Sequence, residues 1–448
     1  MKYETKRNIL FILTMVFSSI YLLWRLFCTL PFSAGRVHLA LGILLFAAEA
    51  ITILGTFELY ISKMSVSAKE IVPMEIPKAL YPQVDVLIAT HNEPVDILYK
   101  TVNACTFMEY PDKDKVHIFI CDDGNRPEVE QLAKSFGVGY IGCPNNKHAK
   151  SGNYNNALAK TKSPLIATFD ADMIPQRQFL LMTVPYFFAQ EWMEEGGKYR
   201  ARTEEERGQL KKIGLVQTPQ SFYNQDLFQF NLFMEHNIPN EQDYFSKEIN
   251  VSRNATNSVA YTGSNTILLR EAMEEIGGFP YHTITEDFET SIRMQKAGYI
   301  TYAAGKVLAA GLSTTTVSSM MRQRIRWAQG VIQSIQNTNA IFTRKLSLAG
   351  RFVYLNSFLY WWSFLSRMIF ILAPILFALF EVQLAECDFF QLLIFWLPAY
   401  LLYQAASRYA STNIRNLRWS QIIDTILGPY LIVPVLLESV GMGVRTFF

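Results

Sequence analysis

The chain has 448 residues, half of them hydrophobic, and a formal net charge of +2 at neutral pH. This length exceeds what one compact core normally holds, so the apolar residues need a second environment besides a soluble core. A charge so close to neutrality argues against a nucleic-acid-binding protein, which usually carries a concentrated basic face. The five cysteines are odd in number and lack paired metal-ligand spacing, so neither a zinc site nor a disulfide framework is indicated.

Two long apolar runs open the chain, Asn8 to Leu30 and Val37 to Ile61. Each has the roughly twenty residues that are needed to cross about 30 Å of hydrocarbon. The basic residues Lys2, Lys6 and Arg7 precede the first run and predict a cytoplasmic N-terminus. A cleaved signal peptide is the alternative, but the length of the first run and the second run behind it favour a retained anchor.

Residues Ser65 to about Gly350 read as a soluble α/β enzyme, in which short β-rich runs alternate with helical stretches. This alternation predicts a parallel sheet covered by helices. Ligands of open α/β sheets bind at the carboxyl ends of the strands, so we expect the chemistry directly after these runs. The predicted strands are Val84–Ala89, Val116–Cys121, Gly139–Gly142, Leu165–Phe169, Ile213–Gln217, Thr266–Leu269 and Thr301–Ala303.

One segment of this region, Glu191 to Lys212, is densely charged. It carries three consecutive glutamates from Glu204 to Glu206, and basic residues follow them. Such a mixture is typical of solvated surface. We therefore predict a solvated helix or loop here.

The first polar cluster follows the strand Val116–Cys121 and consists of Asp122, Asp123 and Gly124. Carboxylates at a strand end can accept hydrogen bonds from a uracil or a ribose, and the glycine permits a tight turn. An ordinary turn is the more common explanation of these three residues. Further along, Lys150 supplies a cation beside a glycine, so it is either a phosphate contact or a solvated lysine.

The second cluster is Asp170 and Asp172, directly after the apolar run Leu165–Phe169. Two carboxylates at i and i+2, emerging from a buried strand, can ligate a Mg²⁺ or Mn²⁺ that bridges a diphosphate. Such an ion would neutralise the charge on a nucleotide diphosphate as the sugar departs. The pattern is frequent by chance, so alone it does not establish a metal site.

The third cluster, Thr285-Glu286-Asp287, leads into a helical stretch. A carboxylate here could be the general base that takes the proton from an acceptor hydroxyl while C1 of the donor is attacked. A helix N-cap explains the same residues, since threonine followed by acids suits a helix start. On these three residues alone the N-cap is the better explanation.

The fourth cluster lies within Ser318 to Gln336, an amphipathic stretch that suits a helix on the membrane face. Gln323 and Arg326 share a face at i and i+3, and Trp327 joins Gln323 at i and i+4. An arginine can clamp a diphosphate, and an indole offers a flat surface to a sugar. A surface helix with a snorkelling arginine and an interfacial tryptophan explains the pattern nearly as well.

From Phe352 onward the chain is again apolar, and Phe389 to Ala406 is a clear span. Arg408 and Arg415 follow this span and predict that it ends in the cytoplasm. The last apolar stretch, Gln421 to Val444, contains acids, prolines and glycines, so it either spans the membrane or lies in the interface.

Each cluster is ambiguous alone, but their order and spacing match one family. The sequence resembles the processive family 2 glycosyltransferases, and the cellulose synthases in particular, over nearly the whole chain. The matching strings are Thr90–Pro94 (THNEP), Asp122–Glu128 (DDGNRPE), Asn146–Asn153 (NKHAKSGN), Phe169–Pro175 (FDADMIP), Val216–Asn224 (VQTPQSFYN), Thr262–Ser264 (TGS), Thr285–Asp287 (TED) and Gln323–Gly330 (QRIRWAQG). In combination these motifs are highly specific.

The resemblance implies an α/β, Rossmann-like GT-A domain in the cytoplasm, inserted between transmembrane helices and flanked by amphipathic interface helices. It also implies a UDP-sugar donor and a Mg²⁺ or Mn²⁺ ion. The implied donor-binding residues are His91, Glu93, Asp123, Lys150, Asp170, Gln323 and Arg326, and the implied metal ligand is Asp172. The implied catalytic residues are Asp287, as base, and Glu286; the implied acceptor-binding residues are Trp327, Thr262 and Gly263.

The activity implied by the resemblance is processive, inverting synthesis of a β-glucan from UDP-glucose, with export of the growing polysaccharide through the protein's own membrane channel. Three alternatives stay open: another β-linked polysaccharide (capsular β-1,3 or β-1,2 glucan, hyaluronan or chitin), a single-transfer, lipid-directed glycosyltransferase, and a non-catalytic channel. The expected environment is the lipid bilayer of the plasma membrane, crossed several times, with the catalytic domain cytoplasmic. No nucleic acid is expected as a partner, and homo-oligomer formation is left open.

Two features depart from the cellulose synthase pattern. His91 stands where a tyrosine usually lies beside the uracil, and it adds a titratable group. The family's gating loop is expected after the Gln421 to Val444 helix, and the sequence ends at Phe448, so we expect a longer native chain. The expected segments are two transmembrane helices (1–64), the catalytic domain (65–312), an interface helix (313–350), two transmembrane helices (351–406), and a loop with an interface helix (407–448).

Overall fold

The computed structural model describes residues 3–65, 70–143, 149–411 and 417–443, without the side chains of residues 417 and 418. Lys2, Arg415, residues 146–148 of the NKHAKSGN string and the region after residue 443, which the predictions above include, lie outside these ranges. The helices are α1 (Tyr3–Cys28), α2 (Arg36–Ser65), α3 (Val95–Thr106), α4 (Pro127–Phe136), α5 (Ala149–Lys160), α6 (Phe179–Thr183), α7 (Phe188–Glu191), α8 (Glu204–Gly208), α9 (Leu227–Leu232), α10 (Asn250–Ser252), α11 (Arg270–Glu275), α12 (Glu286–Ala297), α13 (Val317–Thr338), α14 (Leu348–Phe380), α15 (Phe389–Ala410) and α16 (Leu417–Ser439). Single turns of 3-10 helix lie at Lys78–Leu80, Lys113–Lys115, Val184–Phe187 and Arg253–Thr256, and a π-helical turn lies at Phe245–Ile249.

Seven strands form one sheet, in the order β10-β8-β9-β4-β1-β2-β3. These strands are β1 (Val84–Thr90), β2 (Val116–Asp122), β3 (Gly139–Gly142), β4 (Leu165–Asp170), β8 (Ile213–Gln217), β9 (Thr266–Leu269) and β10 (Ile300–Ala303). Two smaller sheets pair β5 (Ile174–Pro175) with β11 (Ala309–Ala310), and β6 (Trp192–Glu195) with β7 (Lys198–Ala201). All seven residues of β1 are buried, as expected of a strand that pairs with β4 on one side and β2 on the other.

The seven predicted strands are confirmed, but the sheet is mixed and not the parallel sheet that the alternation predicted. Strand β9 runs antiparallel to both of its neighbours, with Leu269 opposite Leu165 in β4 and Leu268 opposite Leu215 in β8. The reason is the path of the chain between β8 and β9. Thr218 donates to the Asn265 carbonyl at 3.2 Å, so the excursion leaves and re-enters at the same sheet edge and the next strand runs back.

The charged segment Glu191 to Lys212 also differs from its prediction. It is not only solvated helix or loop, because strands β6 and β7 form an antiparallel hairpin within it. The turn consists of Gly196 and Gly197, whose φ angles of 61° and 75° are accessible to glycine at little cost. The short helix α8 follows, with Thr203 as its N-cap in a capping box with Glu206.

Five helices of the described residues are long and apolar enough to cross a membrane, and this character assigns the chain to a membrane. Four of them, α1, α2, α14 and α15, cover the predicted spans. Helix α16 also has the length and composition of a span, so its interfacial location remains a prediction. Helix α1 packs along α15 and α2 along α14, whereas α16 packs along both α13 and α14.

The catalytic region is attached to the membrane helices by buried polar contacts. Lys63, near the end of α2, forms an ion pair with Glu248 and donates to the Ala410 carbonyl at 2.6 Å. Arg253 donates to Ser357 Oγ in α14 at 2.7 Å. The contacts of Glu248 with α2 and of Arg253 with α14 fix how the sheet edge faces the membrane part, and the bond to Ala410 ties α2 to α15.

Candidate active site

The loops after β1 and β2 bring His91, Glu93 and Asp123 together. Glu93 Oε2 accepts hydrogen bonds from Thr90 Oγ1 at 2.9 Å and from the His91 amide at 2.7 Å, which fixes the loop. His91 Nδ1 lies 2.6 Å from Asp123 Oδ1. Asp123 is buried whereas the His91 side chain is 54% exposed, so the imidazole forms the outer surface of this cluster. Burial raises the pKa of Asp123, and the hydrogen bond to His91 opposes that shift.

The two aspartates of the Asp122-Asp123-Gly124 motif have different environments. Asp122 accepts from the backbone amides of Gly124 and Arg126, at 3.2 and 2.7 Å, and from the Tyr140 hydroxyl at 3.1 Å. The ordinary turn considered for this motif is therefore built by Asp122. Asp123 contacts His91, and its side chain takes no part in the hydrogen bonds of the turn that Asp122 accepts.

Arg126 belongs to the same cluster, and the sequence reasoning gave it no role. Its guanidinium donates to the Glu93 carbonyl at 2.8 Å and to Thr90 Oγ1 at 2.7 Å. It thus joins the loop after β2 to the loop after β1. The DDGNRPE string was the only signal in the sequence that could have pointed to Arg126. Its partner Glu93 lies more than thirty residues away in sequence, so the contact itself was not predictable.

At the end of β4, Lys150 and Asp170 form the electrostatic centre of the site. Lys150 Nζ lies 2.5 Å from Asp170 Oδ1 and donates to the Gly263 carbonyl at 2.9 Å. The Asp170 amide donates to Ser264 Oγ at 2.9 Å, which ties β4 to the TGS turn. Burial disfavours the charged ammonium, but the carboxylates of Asp170 and Glu286 outweigh it and raise the pKa of Lys150.

Asp172 lies two residues further on and lines the same cavity as Lys150 and Asp170. Burial, with the nearby negative charge of Asp170, raises the pKa of Asp172 to about 6. A carboxylate whose charge is disfavoured in this way gains from a bound cation. In the described residues no group of three or more His, Cys, Asp or Glu side chains could hold a metal ion. Mg²⁺ and Mn²⁺ sites commonly use one or two carboxylates plus substrate phosphates, and Asp172 with Asp170 fits that donor set.

Glu286 and Asp287 occupy the first turn of α12 and face the same centre. Burial, followed by the charge of Glu286, raises the pKa of Asp287 to about 7, while the Lys150 ammonium opposes the shift. A carboxylate with such a pKa can accept a proton near neutral pH, as a general base must. The N-cap alternative is partly right: Thr285 is the N-cap residue, but its side chain makes no capping hydrogen bond.

Gly263 allows the base to approach the lysine. Its φ is +84°, and a Cβ at this position would lie 2.8 Å from Asp287 Oδ2 and 3.0 Å from Lys150 Nζ. No side chain fits there without displacing one of these groups. Gln217, which belongs to the VQTPQSFYN string, holds the turn: its Oε1 accepts from the Thr262 amide at 2.9 Å. Thr262 Oγ1 is buried and, among the described residues, has no hydrogen-bond partner.

Helix α13 brings Gln323, Arg326 and Trp327 to the cavity wall. Gln323 Oε1 is buried and makes no hydrogen bond within the described part of the chain, so it is available to a ligand. Arg324, for which the sequence predicted no role, stacks on Trp327. Its Cζ lies 4.5 Å from the centroid of the Trp327 ring. It also forms an ion pair with Glu241, which orients the guanidinium against the indole.

A cavity of about 1470 Å³ joins most of these groups. The predicted site residues in its wall are Lys150, Asp170, Asp172, Thr262, Glu286, Asp287, Gln323, Arg326 and Trp327. His91, Glu93, Asp123 and Gly263 are not among its lining residues, so the His91 cluster is a separate part of the sheet edge. Away from the sheet the cavity continues between α1, α2, α14 and α15, where aromatic side chains such as Trp361, Trp396 and Tyr400 line it.

Comparison with protein families gives a match, over residues 166–406, to the family described as glycosyl transferase family group 2. This match spans more than half of the chain and includes Asp170, Asp172, Asp287 and the QRIRWAQG string.

Among characterised proteins the chain is similar to cellulose synthase catalytic subunits described as UDP-forming. It is 31% identical over 432 residues to that of Pseudomonas fluorescens, covering 96% of this chain and 56% of the relative. It is 32% identical over 434 residues to that of Komagataeibacter xylinus, covering 96% and 55%. The match to the Xanthomonas axonopodis subunit is 33% over 353 residues, covering 78% and 45%. The chain thus spans about half the length of the relatives that it matches.

Among solved structures, the chain is similar to a mannosyltransferase from Pyrobaculum calidifontis in complex with GDP-Man and Mn²⁺. The TM-score is 0.55 at 17% sequence identity, covering 90% of this chain and 98% of that one. At this identity the similarity concerns the fold, and it confirms the GT-A architecture predicted for the sheet domain.

Proposed function

This chain belongs to glycosyl transferase family group 2, and on that basis we propose that it is a processive, inverting polysaccharide synthase that builds a β-glucan from UDP-glucose. The observation that carries the proposal is the single cavity described above. It runs from Asp170 and Asp287, past Trp327, into the space between the membrane helices. A product made at the sheet edge therefore has a continuous path into the membrane part.

The donor would lie across the carboxyl ends of the strands. We assign the uracil to the cluster of His91, Glu93 and Asp123, because a buried carboxylate and an exposed imidazole provide an acceptor and a flat surface. We assign the diphosphate to Lys150, Gln323 and Arg326, which line the cavity beside Asp170. The relatives described as UDP-forming support this choice of nucleotide.

Asp172, with Asp170, would hold a Mg²⁺ or Mn²⁺ ion together with the diphosphate. When bound, the ion would supply positive charge that neutralises the leaving nucleotide diphosphate. The structurally similar mannosyltransferase is in complex with GDP-Man and Mn²⁺. The raised pKa of Asp172 supports a cation at this position.

Asp287 would take the proton from the acceptor hydroxyl as that oxygen attacks C1 of the donor sugar and the bond to the diphosphate breaks. One direct displacement inverts the configuration at C1 and needs no covalent intermediate. Burial raises the pKa of Asp287 most, and Glu286 acts on this step by adding its charge to that effect. Trp327, with Thr262 and Gly263, would hold the acceptor sugar, because an indole face packs against the C–H face of a pyranose.

The acceptor would be the growing polysaccharide, and the aromatic and polar wall between α1, α2, α14 and α15 suits a chain of neutral sugars. We also propose that the protein lies in the plasma membrane with the sheet domain in the cytoplasm, as the basic residues Lys6, Arg7 and Arg408 indicate. In this arrangement α16 lies at the cytoplasmic interface, and residues 1–64, 65–312, 313–350, 351–406 and 407–448 are the segments expected from the sequence.

The test is polymer synthesis by the purified protein in lipid nanodiscs. Radiolabelled UDP-glucose, UDP-N-acetylglucosamine, UDP-glucuronic acid and GDP-mannose are supplied in turn, each with Mg²⁺ or Mn²⁺. We expect a high-molecular-weight product from UDP-glucose that a β-glucanase digests. A product of one or two sugars extracted with lipid would support the lipid-directed alternative, and a polymer from another donor would support a different polysaccharide. Absence of UDP release with every UDP-sugar would contradict the proposal.

A further inference from the structure

The loop that leads to the proposed base Asp287 packs against α13 at Gly330. A Cβ on Gly330 would lie 2.6 Å from Thr285 Oγ1 and 2.9 Å from Thr285 Cβ, and closer still to Thr285 Cγ2. Side chains in a packed interior do not approach so closely, so any larger residue at 330 must push Thr285 away. Gly330 lies inside helix α13, so the position uses the missing side chain rather than an unusual backbone angle.

Hydrogen bonds join the same two segments one turn further along. Ser334 Oγ lies 3.0 Å from Thr283 Oγ1 and 3.3 Å from the carbonyl oxygen of Thr285. The Ile284 amide donates to Gln333 Oε1 at 3.1 Å. Thr283, Thr285 and Ser334 are all buried, so water does not compete for these bonds. The loop is therefore held by shape at Gly330 and by polar contacts at Gln333 and Ser334.

The side chain of Thr285 contacts α13 and does not cap α12, the helix that it precedes. A threonine at an N-cap normally accepts a hydrogen bond from a backbone amide of the first helical turn. Thr285 makes no such bond, and its hydroxyl lies 3.3 Å from Ser334 Oγ instead. The start of α12, which carries Asp287 in its first turn, is thus defined by contacts with α13.

We propose that Gly330, Gln333 and Ser334 are positioning residues that set the location of Asp287 relative to Gln323, Arg326 and Trp327. This inference rests on the proposed function, since it takes Asp287 as the base. Gly330 lies three residues after Trp327, which is about 4.5 Å along the helix axis. One helix, α13, therefore carries the groups assigned to the diphosphate and the acceptor sugar, and it also carries the residues that contact the loop before Asp287. Displacing that loop changes the geometry of proton removal without removing any group that binds donor or acceptor.

The first test is Gly330→Ala, assayed for UDP release and polymer formation. We expect kcat to fall about tenfold or more, because a misplacement of about 1 Å at a reacting group can cost a factor near one hundred. KM for the donor should stay within about twofold, since the binding groups are intact. The matched control is Gly208→Ala, the same change in helix α8 at a glycine with nothing within 4 Å, and it should leave kcat unchanged.

The second test asks whether relieving the contact restores the rate. Thr285→Ala removes the two atoms nearest to position 330, so Gly330→Ala/Thr285→Ala should turn over faster than Gly330→Ala alone. Ser334→Ala should lower kcat by a smaller factor than Gly330→Ala, again with little change in donor KM. A general packing defect would instead weaken donor binding and thermal stability in parallel, and the second substitution would add to the damage. That result, or wild-type kcat in Gly330→Ala, would overturn the proposal.

The outcome is separable from the proposed function. If the wild-type protein releases UDP but Gly330→Ala matches it, the positioning role fails and the synthase proposal stands. If the wild-type protein releases no UDP from any donor, the synthase proposal fails. Thermal unfolding then tests whether Thr285 packs against Gly330. In that case Gly330→Ala and Thr285→Ala must be non-additive in their effect on the unfolding temperature, and additive effects would overturn the contact itself.

Discussion

Lys150 Nζ lies 2.5 Å from Asp170 Oδ1, at the point where β4 ends and the cavity begins. The pair joins the start of α5 to the end of β4, and the lysine also reaches the carbonyl of Gly263. The ammonium thus donates to acceptors on two segments of the chain, and the charges of Glu286 and Asp287 lie near it. An ammonium has three N–H donors, so one donor is left for a phosphate oxygen after the bonds to Asp170 and Gly263.

Lys150→Met should therefore weaken binding of the donor. Loss of a charge-assisted hydrogen bond to phosphate is expected to raise Kd for UDP about tenfold or more. Isothermal titration with UDP measures this directly, without turnover. The matched control is Lys160→Met at the other end of α5, where the side chain is exposed and should not contribute to UDP binding. Equal affinities in the two variants would contradict the assignment of Lys150.

Asp287→Asn tests the base. Neutral asparagine cannot take a proton, so kcat should fall by about a hundredfold or more, as expected for loss of general base catalysis. UDP affinity should be retained, because Asp287 is not among the groups assigned to the nucleotide. Single-turnover assays with saturating donor distinguish chemistry from product release. Persistent turnover in this variant would show that another group removes the proton.

The pH dependence of turnover should report the environment of Asp287. The active form is the carboxylate, and burial with the charge of Glu286 raises its pKa to about 7. The rate at saturating donor should therefore rise with pH through about 7 and fall off on the acid side. Glu286→Gln removes a charge that raises this pKa, so the acid limb should move to lower pH. A limb that stays in place, or moves to higher pH, would contradict the assignment.

The strands of the sheet were predictable because apolar, β-branched runs identify themselves locally. β1, β2 and β4 are such runs, and each ends where a polar motif begins. The direction of β9 was not predictable, since it depends on where the excursion between Thr218 and Asn265 returns. The hairpin of β6 and β7 was missed because its charged residues obscured the Gly196-Gly197 turn signal.

The site residues were predictable as a set through their motifs, but their contacts were not. The pairing of His91 with Asp123 and of Lys150 with Asp170 joins residues that are 32 and 20 positions apart. The register of β1 and β2, with Thr90 opposite Asp122, brings His91 to Asp123. Lys150 reaches Asp170 because α5 packs against β1 and β2, and β4 lies beside β1 in the sheet. The packing of Thr285 against Gly330 likewise requires that α12 packs on α13, which no local sequence pattern specifies.

Asp123→Asn tests the assignment of the nucleobase cluster. Uracil presents an N3–H donor, and a carboxylate held by His91 has further acceptor capacity for it. An amide can offer its NH₂ group instead, so the variant should bind UDP more weakly and discriminate less between UDP and CDP, whose base lacks that N–H. Competition binding with both nucleotides measures the ratio, and Glu130→Gln, an exposed site on α4, is the control. Unchanged discrimination in Asp123→Asn would place the base elsewhere on the sheet edge.

Gly263→Ala separates the cost of backbone conformation from the cost of lost space in the site. Both Gly263 and Gly277 have positive φ, at +84° and +81°, so alanine strains the backbone similarly at either position. Only at position 263 does the new Cβ meet Asp287 Oδ2 and Lys150 Nζ, at 2.8 and 3.0 Å, whereas nothing lies within 4 Å of a Cβ at 277. We expect both variants to lower the unfolding temperature, Gly263→Ala more than Gly277→Ala because its Cβ also meets two side chains, and kcat to fall only in Gly263→Ala, by about tenfold or more. Because the two variants share the same backbone penalty, an equal loss of kcat in both would mean that backbone strain, and not the contact with Asp287 and Lys150, accounts for the loss in Gly263→Ala.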